Sequence, residues 1–473
     1  MLKSVATETS ISLEEALQMS GRRNVEYHLR HLNPRLARML KMMEAETPLV
    51  RASGSYFWDA DGARFLDFLT GFGAMSLGNN HPRLRQAMQL VEDLPVLVQG
   101  LNHLAGALAH NLAILAPGDL SRVYFANSGA EVVDASIKLA RAATGRKKLV
   151  ACQGCFHGRT VGALSLIEHR DFREAFEPLL PGVAHVRYGD PDPLEAALRN
   201  RDVAAFIVEP VQGEGGINVP PSGYLRAVRQ LCSRYGALMI ADEVQSGLGR
   251  TGRMFAVNRE DVAPDVILLG KSLGGGVMPL SAVLTTDAVF NAAKGATPRS
   301  PFQTPTFGAN ARACAAGLAA LEVLESEHLP ERAEETGAYL LERLRDLKLR
   351  HPIIAGVRGQ GLMIGIEFAP PSRGFTTALT GGALNRLFNG VLTGLVIMEL
   401  HLKHRVMTAF TLNNPNVLRL EPPLNVEKEQ ADYVVDALDQ TLGRLKGYVT
   451  GTLRSWRQLI PRQRGEKAAS AAP

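Results

Sequence analysis

Long apolar runs are missing from this sequence of 473 residues. No stretch of about 18 consecutive apolar residues occurs, so no membrane-spanning helix is predicted. The first residues, MLKSVATETSISLEEAL, carry acids and lack the apolar segment of a signal peptide. This composition also argues against a mitochondrial presequence, and the protein is therefore expected to be cytoplasmic, without a membrane partner.

Cysteine is scarce, with four residues in the chain, namely Cys152, Cys155, Cys232 and Cys314. Cys152 and Cys155 form a C-x-x-C pair, which could bind a metal or cycle between thiol and disulfide. The sequence offers no second pair to complete a zinc site, so no metal is predicted. Free thiols in a reducing compartment are the expected state.

A strong charge of one sign is also missing. The 52 Lys and Arg residues exceed the 47 Asp and Glu residues by a formal net charge of +5. Because the two signs are interspersed, this small excess does not predict a nucleic-acid partner. The length predicts two or three lobes. We expect an N-terminal segment (1–94) that contributes to a small domain, a large domain (95–330), a C-terminal small domain (331–460) and a disordered tail (461–473).

Short apolar runs alternate with helical patterns through the middle of the chain. The runs are RVYFA, KLVAC, AAFIVE, ALMIAD and VILLG, and the helical stretch 129–143 has Val133, Ile137 and Ala140 on one face. This alternation predicts an α/β fold with a mostly parallel, doubly wound sheet. Residues 1–45 are predicted to be helical, 55–68 to form a hairpin, and the chain after 330 to form a smaller α/β lobe.

Candidate functional residues, most of them polar, stand at the end of each of the five runs. They are Ser128 with Gly129 and Ala130, Phe156 with His157, Glu209 with Glu214 shortly after it, Asp242 with Gln245, and Lys271. The carboxyl ends of parallel strands share one edge of a doubly wound sheet, where ligands bind. We therefore expect these side chains to form one site.

Lys271 stands in GKSLGGG, which is similar to a phosphate-binding loop. A nucleotide-binding P-loop needs a glycine five positions before Gly270, and Asp265 occupies that position. The apolar run before Gly270 predicts a strand instead of a loop. A nucleotide-binding enzyme is therefore disfavoured.

The chemistry of these residues suits pyridoxal 5′-phosphate (PLP). The turn at Ser128 offers backbone N–H groups to a phosphate, although it could equally be a simple helix cap. Asp242 could neutralise a protonated pyridine nitrogen, although a structural salt bridge would also explain it. Lys271 can form a Schiff base with an aldehyde. Together the three features predict a PLP enzyme.

The sequence resembles the class III aminotransferases, which are PLP enzymes of fold type I. Seven stretches between about 50 and 425 carry the resemblance, in the order of that family: NSGAE, FHGRT, VEPVQGEGG, ADEVQSGLGRTG, LLGKSLGGG, PTFGAN and LRLEPPL. The resemblance implies a large PLP-binding domain, a small α/β domain from the two chain ends, and a homodimer with the active site at the subunit interface.

The resemblance also implies individual roles. Lys271 is the PLP lysine and general base, and Asp242 pairs with the ring nitrogen. The other implied cofactor contacts are Phe156 and Val244 on the ring faces, His157 nearby, Gln245 on the ring hydroxyl, Ser128, Gly129 and Ala130 on the phosphate, and Thr306 from a second subunit.

For the substrate, the resemblance implies that Arg419 binds a carboxylate, with Glu214 as its alternating partner and Glu209 nearby. A fixed structural ion pair between Arg419 and Glu214 is the alternative. FLDFLTGFGAMSLGNNHP, GKSLGGGVMPLSAVL and TAFTLNNPNVLRLEPPL resemble the putrescine aminotransferase branch. The implied reaction transfers an amino group from a primary amine or diamine to a keto acid, with 2-oxoglutarate the expected acceptor. Acetylornithine or ornithine aminotransferase, an aminomutase, a decarboxylase and an inactive scaffold remain alternatives.

Overall fold

A computed structural model describes residues 10–42, 47–98, 100–296, 304–369 and 390–459. The predicted tail, 461–473, lies outside the described residues. Within the described ranges, no helix is both long enough and apolar enough to cross a bilayer.

Strands and helices alternate through the centre of the chain, as predicted. The strands are β1 (Leu49–Ser53), β2 (Tyr56–Asp59), β3 (Arg64–Asp67), β4 (Arg122–Ala126), β5 (Lys148–Cys152), β6 (Val183–Val186), β7 (Val203–Val208), β8 (Leu238–Asp242), β9 (Val266–Leu269), β10 (Ser281–Thr285), β11 (Ile354–Gln360), β12 (Met363–Phe368), β13 (Val406–Met407), β14 (Ala409–Phe410) and β15 (Val417–Leu420). The helices are α1 (Leu13–Leu17), α2 (Gly21–His31), α3 (Pro34–Met42), α4 (Thr70–Gly73), α5 (Pro82–Leu90), α6 (His103–Leu115), α7 (Gly129–Thr144), α8 (Val161–Ser165), α9 (Arg170–Arg173), α10 (Pro191–Leu198), α11 (Tyr224–Tyr235), α12 (Asp287–Ala296), α13 (Ala311–Ser326), α14 (Leu329–Arg350), α15 (Val391–His404) and α16 (Lys428–Leu459).

The largest sheet has seven strands in the order β4-β10-β9-β8-β7-β5-β6. Neighbouring strands from β9 to β6 are parallel, whereas β10 is antiparallel to both β4 and β9. All residues of β7 and β9 are buried, as expected for strands covered by helices on both faces. The α/β class with a mostly parallel, doubly wound sheet is confirmed.

Two strands of this sheet, β6 and β10, are absent from the five predicted runs. β6 is an edge strand with a histidine and only partial burial, so its apolar pattern is weak. β10 is wholly buried, but serine and threonine at its ends interrupt the apolar run that would mark it.

Helix α7 packs against the large sheet through the face that the sequence predicts. Val133, Ile137 and Ala140 are buried, at 0%, 4% and 0% exposure. The helix begins with a capping box at Ser128 and ends at Gly145, which has φ 69°. Glycine suits this C-terminal position because the left-handed conformation costs it no Cβ clash.

Segments from the two parts of the chain outside the large sheet meet in one of the two smaller sheets, which has the order β1-β2-β3-β13. The predicted hairpin is β2 with β3, and β13 extends that sheet by pairing Val406 with Leu66. A second small sheet has the order β11-β12-β15-β14, and α14 packs against β11. The helical character predicted for residues 1–45 is confirmed over the described residues 10–42 by α1, α2 and α3, and the remainder of that range lies outside the described residues. The domain boundaries stay a prediction.

Candidate active site

The five predicted strand ends lie along one edge of the large sheet. β5, β7, β8 and β9 are mutually parallel, and β4 has the same direction because β10 is antiparallel to both β4 and β9. Their carboxyl ends therefore face the same side. The topology thus brings the candidate residues of all five loops to one rim.

The N-terminus of α7 opens onto this rim. Ser128 Oγ accepts a hydrogen bond from Glu131 N at 3.3 Å, and Glu131 Oε2 accepts one from Ser128 N at 2.8 Å. The N–H groups of Gly129 and Ala130 have no acceptor within the helix, because the first turn has no preceding carbonyls. This end of a four-turn helix can hold an anion such as a phosphate.

A close approach to Val244 favours glycine at position 129. A Cβ there would lie 3.1 Å from Val244 Cγ1, which is closer than ordinary van der Waals contact. A Cβ at Gly270 would lie 3.3 Å from the same atom. Val244 therefore lies packed between the loop before α7 and the loop that carries Lys271.

Asp242 ends β8 and is bonded to His157. His157 Nδ1 lies 2.7 Å from Asp242 Oδ2, with side-chain exposures of 0% and 5%, and Val244 N donates to Asp242 Oδ1 at 3.1 Å. Burial by itself would lower the pKa of His157, but Cys155 and Asp242 raise this pKa well above its ordinary value. His157 thus gives the buried Asp242 carboxylate a hydrogen-bond partner, without which its burial would be costly.

Lys271 follows β9 in a left-handed backbone conformation, with φ 44°. Such a conformation is rare for a residue other than glycine and is typical of functional sites. Burial lowers the pKa of Lys271, while Glu421 and Glu214 oppose that shift. The amine is therefore more easily deprotonated than an exposed lysine, which suits a nucleophile or a general base.

Gln245 and Phe156 border the same rim. Gln245 Nε2 donates to the carbonyl of Phe72 at 3.0 Å, and the side chain is 8% exposed. Phe156 is half-buried, and the guanidinium of Arg159 lies 6.0 Å from its ring centroid. Each of the two side chains is thus in contact with a neighbouring residue, Gln245 with Phe72 and Phe156 with Arg159.

Glu209 is buried at the end of β7, and backbone groups occupy its carboxylate. Phe156 N donates to Oε1 at 2.8 Å and Gly213 N donates to Oε2 at 3.0 Å. Burial raises the pKa of Glu209 to about 7. These contacts join the loop after β5 to the loop after β7. A substrate contact by Glu209 stays a prediction.

Arg419 lies on β15, from the C-terminal part of the chain, and pairs with two carboxylates. Its Nη2 is 2.6 Å from Glu214 Oε2 and its Nη1 is 3.4 Å from Glu421 Oε2. The guanidinium also lies 5.2 Å from the ring centroid of Phe72. Burial would lower the pKa of Arg419, but Glu421 and Glu214 raise it, so the guanidinium stays charged.

Two charged residues of this cluster are not among the predicted site residues. Glu421 is two positions after Arg419, and the period of two along a strand would have placed it on the same face. Arg250 is 1% exposed and donates through Nη1 to the carbonyls of Leu362 and Pro422. Arg250 thus connects segments that are more than 100 positions away in the chain, and no local sequence pattern predicts such a contact.

Thr306, which is expected to act in a second subunit, lies in the loop before α13 and is exposed on the single chain. Phe307 beside it is 56% exposed. The structure thus leaves this loop accessible, and the contribution of Thr306 to a neighbouring site stays a prediction.

The fold and this rim define a fold type I PLP-dependent transferase. A family model described as Aminotransferase class-III matches residues 40–442. The chain belongs to this family, and it is therefore a PLP-dependent aminotransferase.

Solved structures agree with this assignment. An ornithine aminotransferase from Toxoplasma gondii, described with partial occupancy of PLP at its active site, is 32% identical, with a TM-score of 0.76 over 85% of this chain and 91% of that one. An acetylornithine aminotransferase from Elizabethkingia anophelis is 28% identical, with a TM-score of 0.71 over 90% and 100%. An amine transaminase from an uncultivated Pseudomonas species, in its PLP-bound form, is 28% identical, with a TM-score of 0.73 over 84% and 95%.

Proposed function

We propose that this aminotransferase moves the amino group of a primary amine or diamine, putrescine-like or another ω-amine, to a keto acid, with 2-oxoglutarate as the acceptor. One observation carries the proposal. The buried guanidinium of Arg419 lies 2.6 Å from Glu214, so the same pocket can present the guanidinium either covered by this carboxylate or released from it. An amine without a carboxylate suits the first state and a keto acid suits the second.

The residues at the rim suit PLP as the cofactor. We assign its phosphate to the N-terminus of α7, its ring nitrogen to Asp242 and its aldehyde to Lys271. Val244 and Phe156 would contact the ring faces, and Gln245 the ring hydroxyl. When bound, PLP supplies an aldehyde that captures amines and a cationic ring that withdraws electrons from the reacting carbon.

The protein's own groups then have distinct tasks. Lys271 Nζ would take up and return the proton of the substrate carbon, which its lowered pKa favours. Asp242 holds a proton on the ring nitrogen, and His157 fixes the Asp242 carboxylate through the 2.7 Å contact. Arg419 orients the acceptor by binding the carboxylate next to its keto group, which a guanidinium does with two parallel hydrogen bonds.

The proposal includes a homodimer, with the loop at Thr306 of one subunit completing the phosphate site of the other. The exposure of Thr306 and Phe307 on the single chain supports it. A reducing, cytoplasmic setting is also part of the proposal. The free thiols of all four cysteines, each of them buried, are in keeping with that setting.

Ornithine or acetylornithine is a second candidate donor. The neighbouring structures from Toxoplasma gondii and Elizabethkingia anophelis are named as aminotransferases of these two compounds. Both compounds carry an α-carboxylate, and a free Arg419 could bind it. The two candidates therefore differ in the state of Arg419 that the donor needs.

A panel of donors assayed against 2-oxoglutarate tests the proposal. Putrescine, cadaverine, ornithine and acetylornithine are compared by kcat/KM, with glutamate formation as the readout. We expect the two diamines to be preferred. A preference for ornithine or acetylornithine would contradict the proposal and support the second candidate donor. Product formation without a keto acid would indicate an aminomutase, and release of carbon dioxide a decarboxylase.

The substitution Asp242→Ala is expected to lower turnover far more than it lowers folding stability. It removes the anion that keeps the ring nitrogen protonated, and general acid–base and electrostatic contributions of this kind are worth about 10²–10⁴-fold. Turnover and the thermal melt of the PLP-free protein are measured together. The control is Glu243→Gln, because the neighbouring Glu243 is also buried, at 1% exposure, but accepts a hydrogen bond from Val257 N. A large drop in melting temperature with turnover retained would make Asp242 a structural acid.

The substitution Glu214→Ala is expected to change the choice of donor rather than the reaction with 2-oxoglutarate. Without Glu214, Arg419 loses its 2.6 Å partner, and its Nη2 becomes available to a substrate carboxylate. The kcat/KM ratio of ornithine to putrescine should therefore rise by about tenfold or more. Single-turnover rates with 2-oxoglutarate should fall less than those with putrescine. An unchanged donor ratio would indicate that the ion pair is fixed in both half-reactions.

A further inference from the structure

Glu421 is a second buried carboxylate beside Arg419. It directly follows β15, two positions after Arg419, and both side chains are 0% exposed. Its Oε2 lies 3.4 Å from Arg419 Nη1. Its Oε1 is buried and has no hydrogen-bond partner among the described residues. A buried carboxylate oxygen without a partner is costly, and such groups are commonly retained for function.

Glu421 and Glu214 are held in different ways. The backbone of Glu421 is fixed on both sides, because its N–H donates to the Phe68 carbonyl at 2.8 Å and its carbonyl accepts from Thr70 Oγ1 at 2.7 Å. Glu214 lies in the loop QGEGG, and its carboxylate is held by Leu412 N at 2.8 Å and by Arg419. The Glu214 carbonyl also accepts a hydrogen bond from Asn413 N at 2.9 Å. The Glu214 side chain is 13% exposed, however, and can turn away from Arg419, whereas the fully buried side chain of Glu421 stays in place.

The permanent carboxylate changes what Arg419 can bind. When Glu214 moves away, the guanidinium is still paired with Glu421. A substrate carboxylate that takes the place of Glu214 then lies near a fixed negative charge, and two like charges in a buried site repel strongly. An amine with no carboxylate meets no such repulsion.

Resting on the proposed function, we propose that Glu421 is a positioning residue that acts through Arg419 to weaken binding of carboxylate-bearing substrates and so to favour simple amines and diamines as donors. The acceptor 2-oxoglutarate still binds, because both of its carboxylates contribute to affinity, but it binds less tightly than at an arginine with a single movable partner. Donors with one α-carboxylate lose the most.

Binding of glutarate, an unreactive dicarboxylate, tests this effect without turnover. Titration calorimetry is carried out on the PLP-loaded wild type, Glu421→Gln and Glu421→Ala. We expect glutarate to bind about tenfold more tightly to both variants, because the fixed negative charge is removed. The control is Glu260→Gln, a buried carboxylate that instead accepts from Gly223 N and Arg226 N, and it should bind glutarate as the wild type does. Unchanged or weaker binding to the Glu421 variants would overturn the proposal.

Two further measurements separate the possible failures. A purely structural role for Glu421 would weaken glutarate binding and lower the melting temperature, whereas the proposed role strengthens binding. If either Glu421→Gln or Glu421→Ala folds poorly, glutarate binding to the other variant tests the proposal. The donor panel on the wild type judges the diamine function by itself. If ornithine is the preferred donor while glutarate binding to the variants tightens, the proposed function fails and the role of Glu421 stands.

Discussion

Lys271→Ala should abolish turnover, with kcat reduced by about 10³-fold or more, because one amine serves as both covalent anchor and proton carrier. PLP should still bind through the N-terminus of α7 and Asp242. Stopped-flow spectroscopy with putrescine measures the loss of rate. Borohydride reduction followed by mass spectrometry should attach PLP to the wild-type chain and leave the variant unmodified.

The control for this prediction is Lys148→Ala. Lys148 is a surface lysine at the start of β5, paired with Asp202 at 2.5 Å and 55% exposed, and its loss should leave turnover unchanged. If Lys271→Ala kept more than a few per cent of wild-type activity, the assignment of Lys271 as the PLP lysine would be wrong.

The second large effect is expected for Arg419→Ala. The reaction of the aminated enzyme with 2-oxoglutarate should be impaired by about 2–5 kcal/mol, the scale for removing one partner of a buried charge pair. The reaction with the amine should be largely spared, because the amine does not use the guanidinium. Single-turnover kinetics on each half-reaction separately measure the difference.

A matched control exists in Arg229→Ala. Arg229 is a partly buried arginine on α11, and its guanidinium lies 2.6 Å from the carboxylate of Asp265. Its replacement should leave the rates of both half-reactions unchanged. Melting temperatures of both variants measure how much folding stability is lost when carboxylates are left unpaired, so that this loss can be separated from the loss of rate. Equal losses in both half-reactions for Arg419→Ala would make Arg419 a structural or cofactor-positioning residue.

Much of the fold was predictable because its signals are local. Buried parallel strands are continuous apolar runs, and the helix after β4 shows its buried face in the spacing of Val133, Ile137 and Ala140. The grouping of the candidate residues after each strand was also predictable, because parallel strands place their carboxyl ends at one edge of the sheet. β10 is not predicted because serine and threonine at its ends leave an apolar run of only three residues.

The α/β class, the polar residues along one edge of the sheet and, through its motifs, the resemblance to class III aminotransferases follow from the amino-acid sequence alone. Which charged side chains meet depends on the tertiary structure. His157 and Asp242 are 85 positions apart and bond at 2.7 Å, and Glu214 reaches Arg419 across 205 positions at 2.6 Å. Glu421 lies beside Arg419 in the sequence, but its burial and open oxygen depend on the segments packed around β15. Such long-range pairs leave no periodic signal, because they depend on how loops from different parts of the chain pack together.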